Sequence, residues 1–365
     1  MLPDAGCVIV GPNGHGKTSL IEALLYCEVF RSFRGAADRD LVRFGTDGFH
    51  LEAVVGEQSA AVRRRQDGQR AAGGSAQVPL PAGRTVAAGY DARTRVKRAL
   101  IDGAEPERLA AAIGVVRGVV LSPGDVALVA GSPRVRRHYL DVLLSLTARG
   151  YVEALGRYRR ALGHRVRATA ADMPVWERLL AEAGSEIVRS RQEWVARWSS
   201  AYREHCDAVG ETGESAMAYV TRTEPSVEAL AGALERSRGR DLALGRTTVG
   251  PHRDELRLAL GGRELRTYGS AGQQRTAALA LRLLEAATLR ELTLESATIC
   301  LDDAFAELDA ARSRNLAALI ARLAEEGSQV VAAVPKESEM PEPIAALARW
   351  RLRDGVVQEE EPSVR

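Results

Sequence analysis

The sequence predicts an α/β domain built around a phosphate-binding loop and interrupted by a mainly helical insertion. Three observations carry that prediction. Near the start, an apolar run, "CVIV", leads into "GPNGHGKTS" at residues 11–19 and then into "SLIEALLY". Near the other end, "TICL" is a second apolar run that stops on Asp302 and Asp303. Between them, from Ser132 to about Arg240, apolar residues recur at helical spacing.

Composition sets the bounds. The chain has 365 residues, is 45% hydrophobic and 27% charged, and carries a net charge of +2. That suits one large or two modest domains and excludes a disordered chain. No apolar run approaches the ~18 residues of a membrane helix, and the first residues lack the basic, apolar and small-residue series of a leader. A cytoplasmic protein is expected. Cys7, Cys27, Cys206 and Cys300 are scattered without a CxxC pair and read as buried thiols. The six histidines are not closely paired, which makes zinc a poor fit.

Taken in order, "CVIV" is the first strand, residues 11–19 the loop and "SLIEALLY" an amphipathic helix. Gly11, Gly14 and Gly16 let backbone amides converge on phosphates, Lys17 reaches the β- and γ-phosphates, and the Thr18 hydroxyl is placed for Mg²⁺. Pro12, Asn13 and His15 complete the expected nucleotide contact. Lys17 is one of three lysines, with Lys97 and Lys336, among 50 basic residues. In so Arg-rich a chain, a lysine here suggests that a compact ammonium is required. Residues 48–65 and 84–102 alternate as strands around "GQRAAGGSAQVPLPAG", and "GVVLSP" reads as a buried strand. The helical block follows, with Trp176, Trp194 and Trp198 as packing residues, and strands resume near "DELRLAL" at 254–260.

In "YGSAGQQRTAALALRLLEAA", Ser270, Gly272 and Gln273 precede a long helix whose N-terminal amides suit an anion. Asp302 and Asp303 then stand at a strand's C-terminal end, where carboxylates meet Mg²⁺ and an attacking water. "QEEEPSVR" closes the chain as an expected frayed tail. Basic clusters at Arg31 to Arg34, Arg63 to Arg65 and Arg157 to Arg167 read either as solvated faces or as a nucleic-acid surface.

Together these residues resemble the ABC-type ATPase heads, and within them the RecF family of recombination-repair proteins. The resemblance rests on "GPNGHGKTSLIEALLY" followed by "RSFRG", "LSPGDVALVAGSPRVRRHYLD", "TVGPHRDEL", "YGSAGQQRTAALALRL" and "ICLDDAFAELD", in family order over most of the chain. It implies a P-loop ABC-type ATPase head as lobe I, residues 1–125 plus 246–365, with residues 126–245 as an inserted helical lobe II. By the same likeness Lys17 and Thr18 contact phosphate and Mg²⁺, and Asp302 is the Walker B residue for Mg²⁺. Asp303 falls where other heads carry a catalytic Glu. Ser270, Gly272 and Gln273 form the signature motif that meets the γ-phosphate of an ATP held by another subunit, and Glu307, Leu308 and Asp309 form the D-loop beside it. The implied protein is an ATP-dependent homodimer, a clamp on single-strand/double-strand DNA junctions that hydrolyses ATP slowly, acts with RecR and RecO, and promotes RecA loading at gaps. Lobe II is where SMC-type relatives send out coiled-coil arms; no sustained heptad run is present, so a short arm is expected.

Several features depart from that pattern. The chain begins almost on the phosphate-loop strand, where such heads carry a preceding pair of strands; either the start is misassigned or the protein is shortened, and the sheet is expected to have an open edge there. The switch region "VVAAVPKES" offers no His or Thr, and "GVVLSPGDV" lacks a Gln, leaving Ser122 and Asp125 unassigned. His252, Arg253 and Asp254 fit a catalytic group or a turn with an Arg–Asp pair equally well. Two other readings therefore stand beside the slow ATPase: a non-hydrolysing, ATP-dependent DNA-binding scaffold, and a transporter-type ATPase, which the large insertion and the signature "SAGQQ" disfavour.

Overall fold

The computed structural model describes residues 2–56, 83–148, 150–169 and 171–360. Residues 57–82, which include the last part of the strand expected over 48–65, the run Arg63 to Arg65 and all but the last glycine of the Gly/Ala/Pro-rich connection, lie outside them, as do the last five residues of the tail. The chain divides into two compact units, one of Met1–Gly124, Ala208–Gly210 and Glu285–Arg365, the other of Asp125–Asp207 and Glu211–Leu284.

In the first unit, β1 (Gly6–Val10) leads through the loop to α1 (Lys17–Val29). β2 (Gly48–Val55), β3 (Arg84–Asp91) and β4 (Val96–Ile101) form an antiparallel sheet in that order. β5 (Gly118–Leu121), β9 (Thr298–Asp302), β10 (Val330–Val334), β11 (Ala348–Arg353) and β12 (Val356–Glu360) join β1 in a six-stranded sheet ordered β12-β11-β1-β10-β9-β5. All neighbours there run parallel except β11 and β12. β10 is buried along its whole length, as a central parallel strand requires. β1 lies between β10 and β11, so the open edge expected beside the phosphate-loop strand is absent. The tail's first residues, expected to fray, form part of β12.

α1 differs from the amphipathic helix the sequence suggested. Ile21 and Leu25 enter the core of the six-stranded sheet with Cys7, Ile9, Val331 and Ala333. Tyr26, Cys27 and Phe30 enter a second core with Val86, Ala88 and Ala99 of the small sheet. With two faces covered, the helix has no solvent stripe of the usual width. All four cysteines are buried free thiols, and burial pushes Cys27 up to about 11.

The second unit opens with a short helical turn, Ala127–Ala130, and continues through α2 (Pro133–Thr147), α3 (Tyr151–Arg165), α4 (Met173–Val209) and α5 (Val227–Leu244). β6 (Ser215–Val220) pairs antiparallel with β7 (Glu255–Leu260), which pairs with β8 (Arg263–Glu264). The reading that strands resume only near 254 therefore missed β6, six residues set between two long helices. α6 (Ala271–Thr293) begins in this unit and ends in the first. By compactness, β7, β8 and the start of α6 group with the second unit, and the first unit resumes at Glu285. β6 holds β7 to the helical segment by a full ladder. α7 (Ala310–Glu325) completes the longer helices.

Buried ion pairs brace the second unit. Arg136, at 3% exposure, makes two bonds to the Glu255 carboxylate and donates to the carbonyls of Leu128, Val129 and Gly131, closing the end of the turn at 127–130. Arg191 joins α4 to the Tyr151 and Tyr219 hydroxyls, the Asp141 carboxylate and the Pro251 carbonyl.

Candidate nucleotide-binding site

The loop between β1 and α1 takes its shape from its glycines. A Cβ on Gly11 would lie 2.4 Å from the Leu352 carbonyl oxygen, and Gly14 and Gly16 have φ of 84° and 98°. Only glycine takes that close approach and those left-handed turns without strain. Such a path turns successive N–H groups toward one point, which suits an anion at the start of α1. The Lys17 ammonium is folded back on the loop, donating to the Gly11 carbonyl at 2.6 Å, the Pro12 carbonyl at 3.0 Å and the Asn13 Oδ1 at 3.3 Å.

Next to Lys17, the Thr18 hydroxyl donates to Asp302 Oδ1 at 3.0 Å, joining residues 284 positions apart. Asp302 is the last residue of β9 and Asp303 follows it with φ of 55°. Burial raises the Asp302 carboxyl above the usual carboxylate range and the Asp303 charge pushes the same way; the Thr18 hydrogen bond, Arg34 and Lys17 oppose. A hydroxyl and a carboxylate at one point are the hard oxygen donors Mg²⁺ takes. Arg34, which the sequence offered only as part of a basic cluster, thus bears on Asp302, and it also pairs with Glu22 at 3.6 Å. Ser19, following Thr18, lines a half-open cavity of about 490 Å³ with Glu22, Tyr26, Arg34 and Phe49.

The remaining motif residues fall as follows. Glu307 has φ of 63°, and Asp309 caps α7 by accepting from the amides of Ala311 and Arg312. In the second unit, Ser270 and Gln273 form a reciprocal cap at the start of α6: the Gln273 amide donates to Ser270 Oγ at 3.3 Å and the Ser270 amide to Gln273 Oε1 at 2.9 Å. Ser270 and Gly272 are exposed.

The open alternatives resolve toward packing. Asp125 is buried and accepts two bonds from Arg282. His252 Nδ1 meets the Tyr158 hydroxyl at 2.6 Å and its Nε2 meets the Thr247 carbonyl at 3.0 Å; burial lowers its pKa to about 4. Asp254 accepts from Tyr219, and Arg253 donates to the Thr247 carbonyl instead of pairing with Asp254. This motif is an internal brace. In the cluster Arg157 to Arg167, Arg165 is buried between Glu177 and Asp241, and Arg157 pairs with Glu186.

Relatives identify the kind of protein these motifs compose. DNA replication and repair protein RecF of Thermomicrobium roseum is 32% identical over 387 residues, covering 97% of this chain and 94% of its own. The chain belongs to the RecF family. RecF of Chloroflexus aggregans is 34% identical, covering 95% of this chain and 92% of its own. No protein-family model matches the chain. Among solved structures, the recombination mediator protein RecF-ATP in the RecFOR pathway is 25% identical with a TM-score of 0.82, covering 97% of this chain and 91% of that one. An Smc head domain derived from Pyrococcus furiosus, at 14% identity and a TM-score of 0.53 over 98% of this chain and 90% of that one, shares the fold. The α/β architecture with a parallel sheet is thus that of RecF and of SMC-type ATPase heads. Among the described residues, no helix is long and apolar enough to cross a membrane.

Proposed function

We propose that this RecF-family chain is an ATP-binding head that closes as a nucleotide-bridged homodimer on gapped DNA and opens on slow hydrolysis. The observation that carries the reading is the Thr18–Asp302 hydrogen bond, which unites the phosphate loop with the carboxylate strand. Lys17 exchanges the carbonyls of Gly11 and Pro12 for phosphate oxygens, replacing neutral acceptors with charged ones. The loop amides add fixed dipoles around the same group. Thr18 and Asp302 would hold Mg²⁺, which would supply positive charge to offset that of the phosphates. Asp303 follows the strand end and would orient the water that attacks the γ-phosphate. As an Asp it has a shorter reach than a Glu, in keeping with slow turnover.

Ser270, Gly272 and Gln273 are exposed or half-buried at the start of a 23-residue helix, a position suited to the γ-phosphate of an ATP bound by a second copy. Hydrolysis would remove that bridge, so closure would last only while ATP does. The RecFOR connection of the structural relative supports a role in recombinational repair, with RecR and RecO as partners, single-strand/double-strand junctions as the DNA target and RecA loading as the outcome. The test is fluorescence anisotropy of a labelled gapped duplex at fixed salt. Tight binding in Mg-ATP that Lys17→Ala removes is expected; binding indifferent to nucleotide and to that substitution contradicts the reading.

A further inference from the structure

The phosphate loop is fastened to the β11–β12 hairpin at two points. One is the close passage of Gly11 under the Leu352 carbonyl. The other is His15, whose Nδ1 accepts a hydrogen bond from the Asp354 backbone amide at 3.1 Å. The Asp354 carboxylate lies 3.3 Å from the same Nδ1. Asp354 and Gly355 are the two turn residues between β11 and β12, with φ of 50° and 78°. Positive φ at both positions marks a tight two-residue hairpin turn. The Asp354 amide falls outside the β11–β12 ladder, and the imidazole supplies its acceptor. β12 is an edge strand of the sheet. Lys17, the loop's cation, is turned to the Gly11 and Pro12 carbonyls.

We propose that His15 is a positioning residue that couples nucleotide binding to the β11–β12 hairpin. The inference rests on residues 11–19 being a phosphate loop. In such a loop the backbone N–H of His15 belongs to the ring of amides around the phosphate, while its side chain holds the hairpin turn, so one residue is pinned at both ends. Fixing the imidazole restricts the peptide on which that N–H sits before any ligand arrives. Coupling between two sites is reciprocal, so whatever the hairpin contributes to nucleotide affinity, bound nucleotide returns as order in the hairpin.

Hydrogen exchange on the full chain, with and without Mg-AMP-PNP, tests this in wild type, His15→Leu and His15→Asn. Leu keeps bulk but has no acceptor; the Asn side-chain oxygen can accept from the Asp354 amide where Nδ1 does. Nucleotide is expected to slow exchange across residues 350–356 by about fivefold in wild type and His15→Asn. His15→Leu should lose that protection and bind nucleotide about fivefold more weakly, with an unchanged melting midpoint. Nucleotide binding that leaves the hairpin's exchange unchanged, or equal protection in His15→Leu, overturns the coupling alone. A wild-type chain that binds no nucleotide overturns the phosphate-loop reading and the coupling with it.

Discussion

Lys17 is a buried ammonium held by its own loop, so removing it takes away the loop's cation and one of its internal braces. Charge-assisted hydrogen bonds are worth about 1.5–3 kcal/mol, and Lys17→Ala should weaken nucleotide binding by about ten- to a hundredfold in a fluorescent-nucleotide titration. Asp303→Asn should bind ATP and stay closed; if it released ATP-bound partners as fast as wild type, Asp303 would not be the residue that drives hydrolysis. His252 allows a test by pH. Its folded pKa is depressed to about 4 from an ordinary 6.5, so the unfolded chain takes up the proton first as pH falls. Stability present above pH 6.5 should be lost between about pH 6.5 and 4, by on the order of 3 kcal/mol, with burial of Asp254 opposing at the acid end. Urea midpoints through that range should fall for wild type and fall less for His252→Asn. At this scale the meeting of Thr18 with Asp302 was legible, because each closes or opens an element that motif spacing marks. The hairpin partner of His15, 339 positions away, was not, nor was the influence of Arg34 on Asp302, since each depends on a tertiary approach with no local signature.

At the scale of elements, period and composition located most strands and helices but not their surroundings. α1 looked amphipathic, yet it is covered by the six-stranded sheet on one side and the small sheet on the other. β6 was hidden because six residues between two long helical stretches make a weak signal, and its ladder to β7 ties that strand to the helical segment. Arg136 shows how far such a unit depends on one buried side chain. Arg136→Ala strands Glu255 and three carbonyls, and breaking a buried pair of this kind costs about 3–5 kcal/mol. Chemical denaturation should register that loss, and Arg136→Met combined with Glu255→Leu should recover only the part due to the stranded Glu255 charge, since the carbonyls of Leu128, Val129 and Gly131 still lack their donor.

At the scale of the molecule, the order of five motifs along the chain was enough to suggest the family, and about 30% identity over nearly the whole length establishes it. Assembly was not legible in the same way. The phosphate loop with its carboxylate strand belongs to one compact unit and the exposed start of α6 to the other, and the proposed two-copy site would give both a role. The most direct test of that claim is solution mass by light scattering with Mg-ATP, with Mg-ADP and without nucleotide. A doubling of mass is expected in Mg-ATP alone, abolished by Lys17→Ala. A monomer under all three conditions, or a dimer indifferent to nucleotide, would contradict it.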